Sequence, residues 1–176
     1  MRSYFLALGA LPLALASCGS GGTASKAPVK PASQATPATS TTLTIKVVSV
    51  MTSTRTHDAL PKGTSSGDNV TFADVLLNVG SQFGKFANQE VGTDSGTMTF
   101  TGTHTARMDG VTTLPGGTIS FSGAVTVLPD NRLAVPIVGG TGKYAHASGT
   151  LLVGPGSKRA PNTYSLTLGG SPGPVA

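Results

Sequence analysis

The chain has 176 residues, a net charge of +5 and a single cysteine. The positive charge does not indicate nucleic-acid binding, because three of the twelve Lys and Arg residues precede Thr41. From Thr41 onward nine basic residues stand against seven acidic ones, so that part of the chain is nearly neutral. The three histidines have no ligand spacing and no cysteine near them, so we predict no metal site.

The N-terminus has the pattern of a lipoprotein signal peptide. Arg2 supplies a positive charge, residues 4–16 form an apolar run, and Leu15-Ala16-Ser17-Cys18 is a lipobox. The apolar run is too short to span a bilayer permanently. We therefore expect removal of residues 1–17 and acylation of Cys18, which would hold the protein through membrane lipid on the extracytoplasmic face of a bacterial cell membrane. The alternative is an ordinary secretory signal in which Cys18 is incidental.

Two segments have the composition of disordered chain. Residues 18–40 contain no aromatic and no acidic residue and are rich in Ser, Thr, Gly, Ala and Pro. We expect this segment to be a flexible linker with a reach of roughly 25 Å. Residues 169–176 should form a disordered tail. The folded domain is accordingly predicted over residues 41–168.

Residues 41–168 have the pattern of an all-β domain. Segments rich in β-branched residues predict strands at 43–51, 70–77, 96–104, 117–128, 132–138, 149–153 and 163–168. Turn-forming residues are concentrated at 61–68, 108–117, 129–131 and 154–162. No amphipathic helix longer than a turn or two is predicted. Seven or eight short strands indicate either a β-sandwich or a closed barrel.

One segment favours the barrel. Residues 135–151 contain a strand with Pro136, a Gly-Gly-Thr-Gly turn at 139–142, then Lys143 and Tyr144, and a Ser148-Gly149 pair. This pattern resembles the allene oxide cyclase and dirigent superfamily. Residues 67–76, 91–97 and 117–123 resemble further family segments in the same order. The resemblance covers residues 41–168 and implies a single eight-stranded antiparallel β-barrel, with trimers among the plant relatives.

Two short motifs fail on their context. Residues 139–143 resemble a phosphate-binding loop, but that pattern requires glycine at Ile137 and a hydroxyl residue at Tyr144. Residues 63–67 match Gly-x-Ser-x-Gly, but no apolar strand precedes them and no helix follows. We predict neither a nucleotide site nor a serine hydrolase.

An eight-stranded barrel either fills its interior with side chains or holds one small ligand there. We expect the interior to be lined by apolar residues, namely Met51, Phe72, Leu76, Met98, Phe100, Phe121, Val125 and Ile137. Tyr144 should fold over one end of the barrel, with Lys143 outward. We predict that Phe72, Phe100, Phe121 and Tyr144 contact a small hydrophobic ligand.

The resemblance also implies a function that needs no cofactor. Family members either fold an unsaturated substrate for cyclisation or guide the coupling of radicals. Their polar residues have counterparts here in Asp58, Asp74, Asp94 and Arg107, which we take as catalytic candidates. Thr93 stands where the plant proteins carry arginine, which argues against a plant-type activity. Two hypotheses stay open: a barrel that binds a ligand or a cell-envelope partner, and a cofactor-independent cyclase, isomerase or coupling guide.

Overall fold

A computed structural model describes residues 40–169. The predicted signal peptide, Cys18 and nearly all of the predicted linker and tail lie outside these residues. The described part of the chain contains no helix that is long and apolar enough to cross a membrane. Residues 40–169 form nine strands: β1 Thr41–His57, β2 Asn69–Asn78, β3 Glu90–Gly102, β4 Thr105–Leu114, β5 Gly117–Ala124, β6 Thr126–Val127, β7 Leu133–Gly140, β8 Ala147–Val153 and β9 Arg159–Leu168. Gln82–Gly84 and Gly142–Tyr144 are single-turn 3-10 helices.

The strands close into an antiparallel barrel. Consecutive strands pair from β1 to β5, β7 pairs with β8, and β8 pairs with β9. Pairing of β5 with β7 and of β1 with β9 closes the ring, so eight strands surround the axis, and β6 pairs only with β7. Closure removes the exposed edges of an open sheet. The predicted all-β, eight-stranded barrel is therefore confirmed.

One strand was missed by the sequence analysis. Residues 108–117 were predicted as a turn, but β4 continues to Leu114 and only Pro115 and Gly116 separate it from β5. Met108, Thr112 and Leu114 are buried in β4, whereas Val111 is exposed. The Asp109-Gly110 pair, which is typical of turns, misled the prediction. Strands β1, β3 and β9 are also longer than predicted.

The barrel has two different ends. At one end lie the connections β1–β2, β3–β4 and β8–β9 and the segment from β5 through β6 to β7, and we call this the open end. At the other lie the connections β2–β3, β4–β5 and β7–β8 and both ends of the barrel sequence, and we call this the closed end. Apolar side chains pack inside the closed end, among them Ile45, Val91, Leu114, Ile119, Tyr144, Ala147 and Leu166. A cavity is left towards the open end of the barrel.

Candidate functional site

The interior towards the open end contains a cavity of about 190 Å³. Its side walls are formed by large apolar side chains from β2, β3, β4, β5 and β8, which are Phe72, Met98, Met108, Phe121, Leu151 and Val153. The connection between β8 and β9 contributes part of the rim through residues 156–158. This lining suits an apolar molecule.

Two glycines leave room for the aromatic walls. Gly96 pairs with Phe72 across β2 and β3, and Gly110 pairs with Phe121 across β4 and β5. A Cβ atom at Gly96 would lie 2.9 Å from Cζ of Phe72, and one at Gly110 would lie 2.4 Å from Cζ of Phe121. Each ring therefore packs directly against the backbone of the neighbouring strand, which a larger residue would prevent.

Polar side chains form the inner limit of the cavity. They come from β1, β2, β3, β4 and β9, and we call them the polar floor: Ser49, Asp74, Asp94, Thr112, Asn162 and Tyr164. Ser49, Asp74, Asp94 and Asn162 line the cavity. Thr112 and Tyr164 are fully buried. Below these residues the buried side chains are mostly apolar, with Asn78 at the end of β2 as a polar exception, so the floor divides the cavity from the packed closed end.

Asp94 is held from several directions. It is 4% exposed and pairs in register with Asp74 on β2. The Thr112 hydroxyl donates to Asp94 Oδ1 at 3.4 Å, and the Tyr164 hydroxyl donates to Asp94 Oδ2 at 3.4 Å. The Thr112 and Tyr164 hydroxyl oxygens are 3.0 Å apart. Because β9 does not neighbour β3 or β4, Tyr164 reaches across the interior to make these contacts.

The environment of Asp94 changes its acidity. Burial raises the pKa of Asp94 to about 7, and the nearby Asp74 adds to this rise. Hydrogen bonds from Thr112 and Tyr164 oppose the rise in pKa but do not cancel it. Burial and the proximity of Asp94 raise the pKa of Tyr164 well above its usual value, so Tyr164 stays a neutral donor. Near neutral pH, Asp94 is consequently able both to give and to accept a proton.

Two further residues of the polar floor have acceptor atoms without a donor. The Ser49 hydroxyl donates to Asp74 Oδ2, which leaves Asp74 Oδ1 without a donor among residues 40–169. Asn162 Oδ1 is also buried without a donor in this range. Buried polar groups normally have partners. These two atoms are therefore the unusual feature of the floor.

The structure brings four of the predicted site residues together. Asp74, Asp94, Phe72 and Phe121 all line the cavity. Phe100 instead lines a second depression at the open end, with a volume of about 310 Å³, whose other apolar residues include Met98, Val125 and Leu133. Because Met98 borders both spaces, Phe100 and Val125 lie beside the cavity and not within it.

Three predicted site residues lie elsewhere. Arg107 is on the outer face of β4, where its Nη2 is 3.0 Å from Asp109 Oδ1. Strand alternation explains this, because the adjacent Met108 points inward. Asp58 is exposed just after β1.

Tyr144 is buried at the closed end, where its hydroxyl donates to the Pro115 carbonyl at 3.2 Å. Tyr144 therefore covers one end of the barrel, which is the end opposite the cavity. The neighbouring Lys143 is exposed.

Four residues of the polar floor were missed by the sequence analysis: Ser49, Thr112, Asn162 and Tyr164. Thr112 and Asn162 fall in segments predicted as turns. Ser49 lies in a predicted strand, in line with Ile45 and Val47, and all three are buried. A polar residue on the inward side of a strand was the signal that would have identified it. Residues 40–169 contain no group of three His, Cys, Asp or Glu side chains able to hold a metal ion.

Solved structures share this barrel. A pyocyanin demethylase matches with a TM-score of 0.60 and 24% identity, covering 70% of this chain and 99% of that one. A pterocarpan synthase dirigent protein matches with a TM-score of 0.56 and 18% identity, covering 82% and 92%. An exo-specific intermolecular Diels-Alderase matches with a TM-score of 0.59 and 14% identity, covering 73% and 98%. No family model and no curated protein matches the sequence. At these identities the likeness establishes the fold.

Proposed function

We propose that this barrel, which has the allene oxide cyclase and dirigent-like fold, binds a small, largely apolar molecule in the cavity above its polar floor. The observation that carries the proposal is the arrangement of apolar walls around a few buried polar groups, which is typical of small-molecule sites. The cavity of about 190 Å³ is smaller than the roughly 300–1,000 Å³ of sites for drug-sized ligands. The ligand is accordingly compact, or part of it extends through the open end.

Blocking the cavity tests this proposal. Val153 lines the cavity on β8, so Val153→Trp should fill part of it and weaken binding of N-phenyl-1-naphthylamine at least about tenfold, a loss of roughly 1.4 kcal/mol. Fluorescence titration, with excitation outside the tryptophan band, measures the dissociation constant. Val138→Trp is the matched control, because Val138 is 59% exposed on β7. Equal binding by both variants would contradict a ligand site in the cavity.

A second candidate function is cofactor-independent cyclisation or isomerisation of the bound molecule. It is favoured by one observation, which is a carboxyl group with a pKa of about 7 at an apolar cavity. The walls would hold a flexible substrate in one conformation. Protonated Asp94 would donate a hydrogen bond to an oxygen on which negative charge develops, while Thr112 and Tyr164 hold the carboxyl group in position. If the barrel is an enzyme, Asp94→Leu, whose side chain has no hydrogen-bond donor, should still bind the substrate and no longer convert it.

Attachment to a membrane through Cys18 is the remaining part of the proposal. Its support is the lipobox at residues 15–18. Thr41, the first residue of the barrel, lies at the closed end, whereas the cavity opens towards the other end. In bacterial cells, the wild-type protein should enter the detergent phase of a Triton X-114 extraction, and Cys18→Ser should move it to the aqueous phase. A wild-type protein found in the aqueous phase would contradict the lipid anchor.

A further inference from the structure

One hydrogen-bond donor of the polar floor is not used within the described barrel. Asn162 lies on β9, is 3% exposed and lines the cavity. Its Oδ1 is enclosed by protein, whereas Nδ2 keeps accessible surface and makes no hydrogen bond with residues 40–169. Because the rest of the side chain is covered, the accessible surface of Nδ2 faces the cavity. Asn162 therefore presents N–H groups to a molecule bound there.

The other donors of the floor are already engaged. The single hydroxyl hydrogen of Ser49 is donated to Asp74 Oδ2. The hydroxyls of Thr112 and Tyr164 are fully buried and donate to Asp94. Asp94 adds a donor only while it is protonated. The amide nitrogen on β9 is therefore the one side-chain donor of this floor that is available to a ligand at every pH.

The nearby phenol does not use up this donor. Burial raises the pKa of Tyr164, and the Asn162 amide is close enough to oppose that rise. An amide nitrogen carries two hydrogens, so a contact with the phenol oxygen would still leave one N–H for the cavity. Val47 on β1 and Val153 on β8 pair with Asn162, and their side chains contain no acceptor. The acceptor for this hydrogen has therefore to come from the cavity.

The charges of the floor restrict the kind of acceptor. Asp74 and Asp94 line the cavity together with Asn162. An anionic ligand group at the floor would stand beside two carboxyl groups, and like charges at close range repel each other. A neutral carbonyl oxygen accepts a hydrogen bond without adding charge. The floor consequently favours a neutral acceptor over a carboxylate or phosphate.

Resting on the proposed function, we propose that the ligand is a small, largely apolar molecule with a neutral carbonyl oxygen that accepts a hydrogen bond from Asn162 Nδ2. The apolar walls cover its hydrocarbon part. A hydrocarbon of the same shape would displace water from Nδ2 and leave the N–H unpaired, which costs free energy. Asn162 is thus a specificity-determining residue, whether or not the bound molecule is converted.

A ketone and an alkene of the same shape test this selection. Acetophenone and α-methylstyrene differ only in that a methylene group replaces the carbonyl oxygen. Both are used to displace N-phenyl-1-naphthylamine from the full-length protein at about pH 9, where Asp94, with a pKa of about 7, has lost its proton. We expect wild-type protein to bind the ketone no more than about threefold less tightly than the alkene, although the alkene is the more apolar compound.

Two leucine variants identify the donor. Asn162→Leu should weaken binding of the ketone about tenfold relative to the alkene, because the carbonyl oxygen then has no partner at the floor. Asn69→Leu makes the same substitution at the start of β2, outside the cavity lining. This control should leave the ratio of the two affinities unchanged.

Each outcome distinguishes this inference from the proposed function. If wild-type protein binds the alkene more than about threefold more tightly, the donor role of Nδ2 is overturned while the apolar site stands. If Asn162→Leu keeps the wild-type ratio, the role of Asn162 is overturned. Dye binding that neither probe displaces overturns this inference alone, whereas a dye that does not bind overturns the proposed function as well. The comparison of the two probes on wild-type protein remains decisive even if Asn162→Leu does not fold.

Discussion

Replacing Asp94 by asparagine should abolish a fall in stability that the wild-type protein shows as the pH rises from about 4 to about 7. The pKa of Asp94 is about 7 in the folded protein and has the ordinary value of 3.8 when the chain is unfolded. Between these values the folded state keeps a proton that the unfolded state releases. The stabilisation is therefore complete below the unfolded pKa and is lost as the pH rises through the folded one. A difference of about three units corresponds to about 4 kcal/mol.

Urea unfolding of both proteins at about pH 4 and about pH 8 measures this effect. Asp109→Asn is the matched control on the outer surface. Hydrogen bonds from Ser122 and Arg107 lower the pKa of Asp109, so its contribution is lost only at more acidic pH. The control should keep the wild-type decline. A wild-type protein that is equally stable at both pH values, or an Asp94→Asn variant that retains the decline, would contradict the assignment of a raised pKa to Asp94.

Replacing Phe121 by alanine should lower the free energy of unfolding by about 3–5 kcal/mol. Phe121 is 1% exposed, and its ring packs against Gly110 on β4 while also lining the cavity. The substitution removes the buried apolar contacts of the ring. The space that the ring occupied then enlarges the existing cavity. The strands cannot close around that space, because the pairings on both sides of β5 fix the ring of the barrel.

Chemical denaturation compares Phe121→Ala with Phe86→Ala, which makes the same substitution at a side chain that is 80% exposed. The control should change the free energy of unfolding by less than about 0.5 kcal/mol. Similar values for the two variants would show that the interior around Phe121 is not packed as described.

The architecture of the barrel was largely predictable from the sequence. Alternating β-branched residues identified most of the strands, and the Gly-Gly-Thr-Gly turn before Lys143 and Tyr144 distinguished a barrel from a sandwich. The prediction failed at β4 because Asp109-Gly110 has the local composition of a turn. In the barrel that glycine instead accommodates the ring of Phe121, which is a requirement of the neighbouring strand. Local composition does not contain this information.

The candidate site was predictable only in part. The family resemblance pointed to Asp74 and Asp94, and the register of β2 and β3 pairs them directly. It also pointed to Arg107, which the alternation of β4 places outside the barrel. The contact of Tyr164 with Thr112 joins residues 52 positions apart on strands that are not neighbours. Such a contact depends on the diameter and closure of the barrel, which no local pattern encodes.

The pairing of Thr41 with Leu168 gives the fold a further property. The first and last strands of the barrel are antiparallel neighbours, so the strand ring has no unique starting point. A circularly permuted chain, joined across these residues and opened in a surface loop such as 79–89, would keep every strand pairing and the same order around the axis. The strand order that encloses the interior therefore does not depend on where along the ring the chain begins and ends.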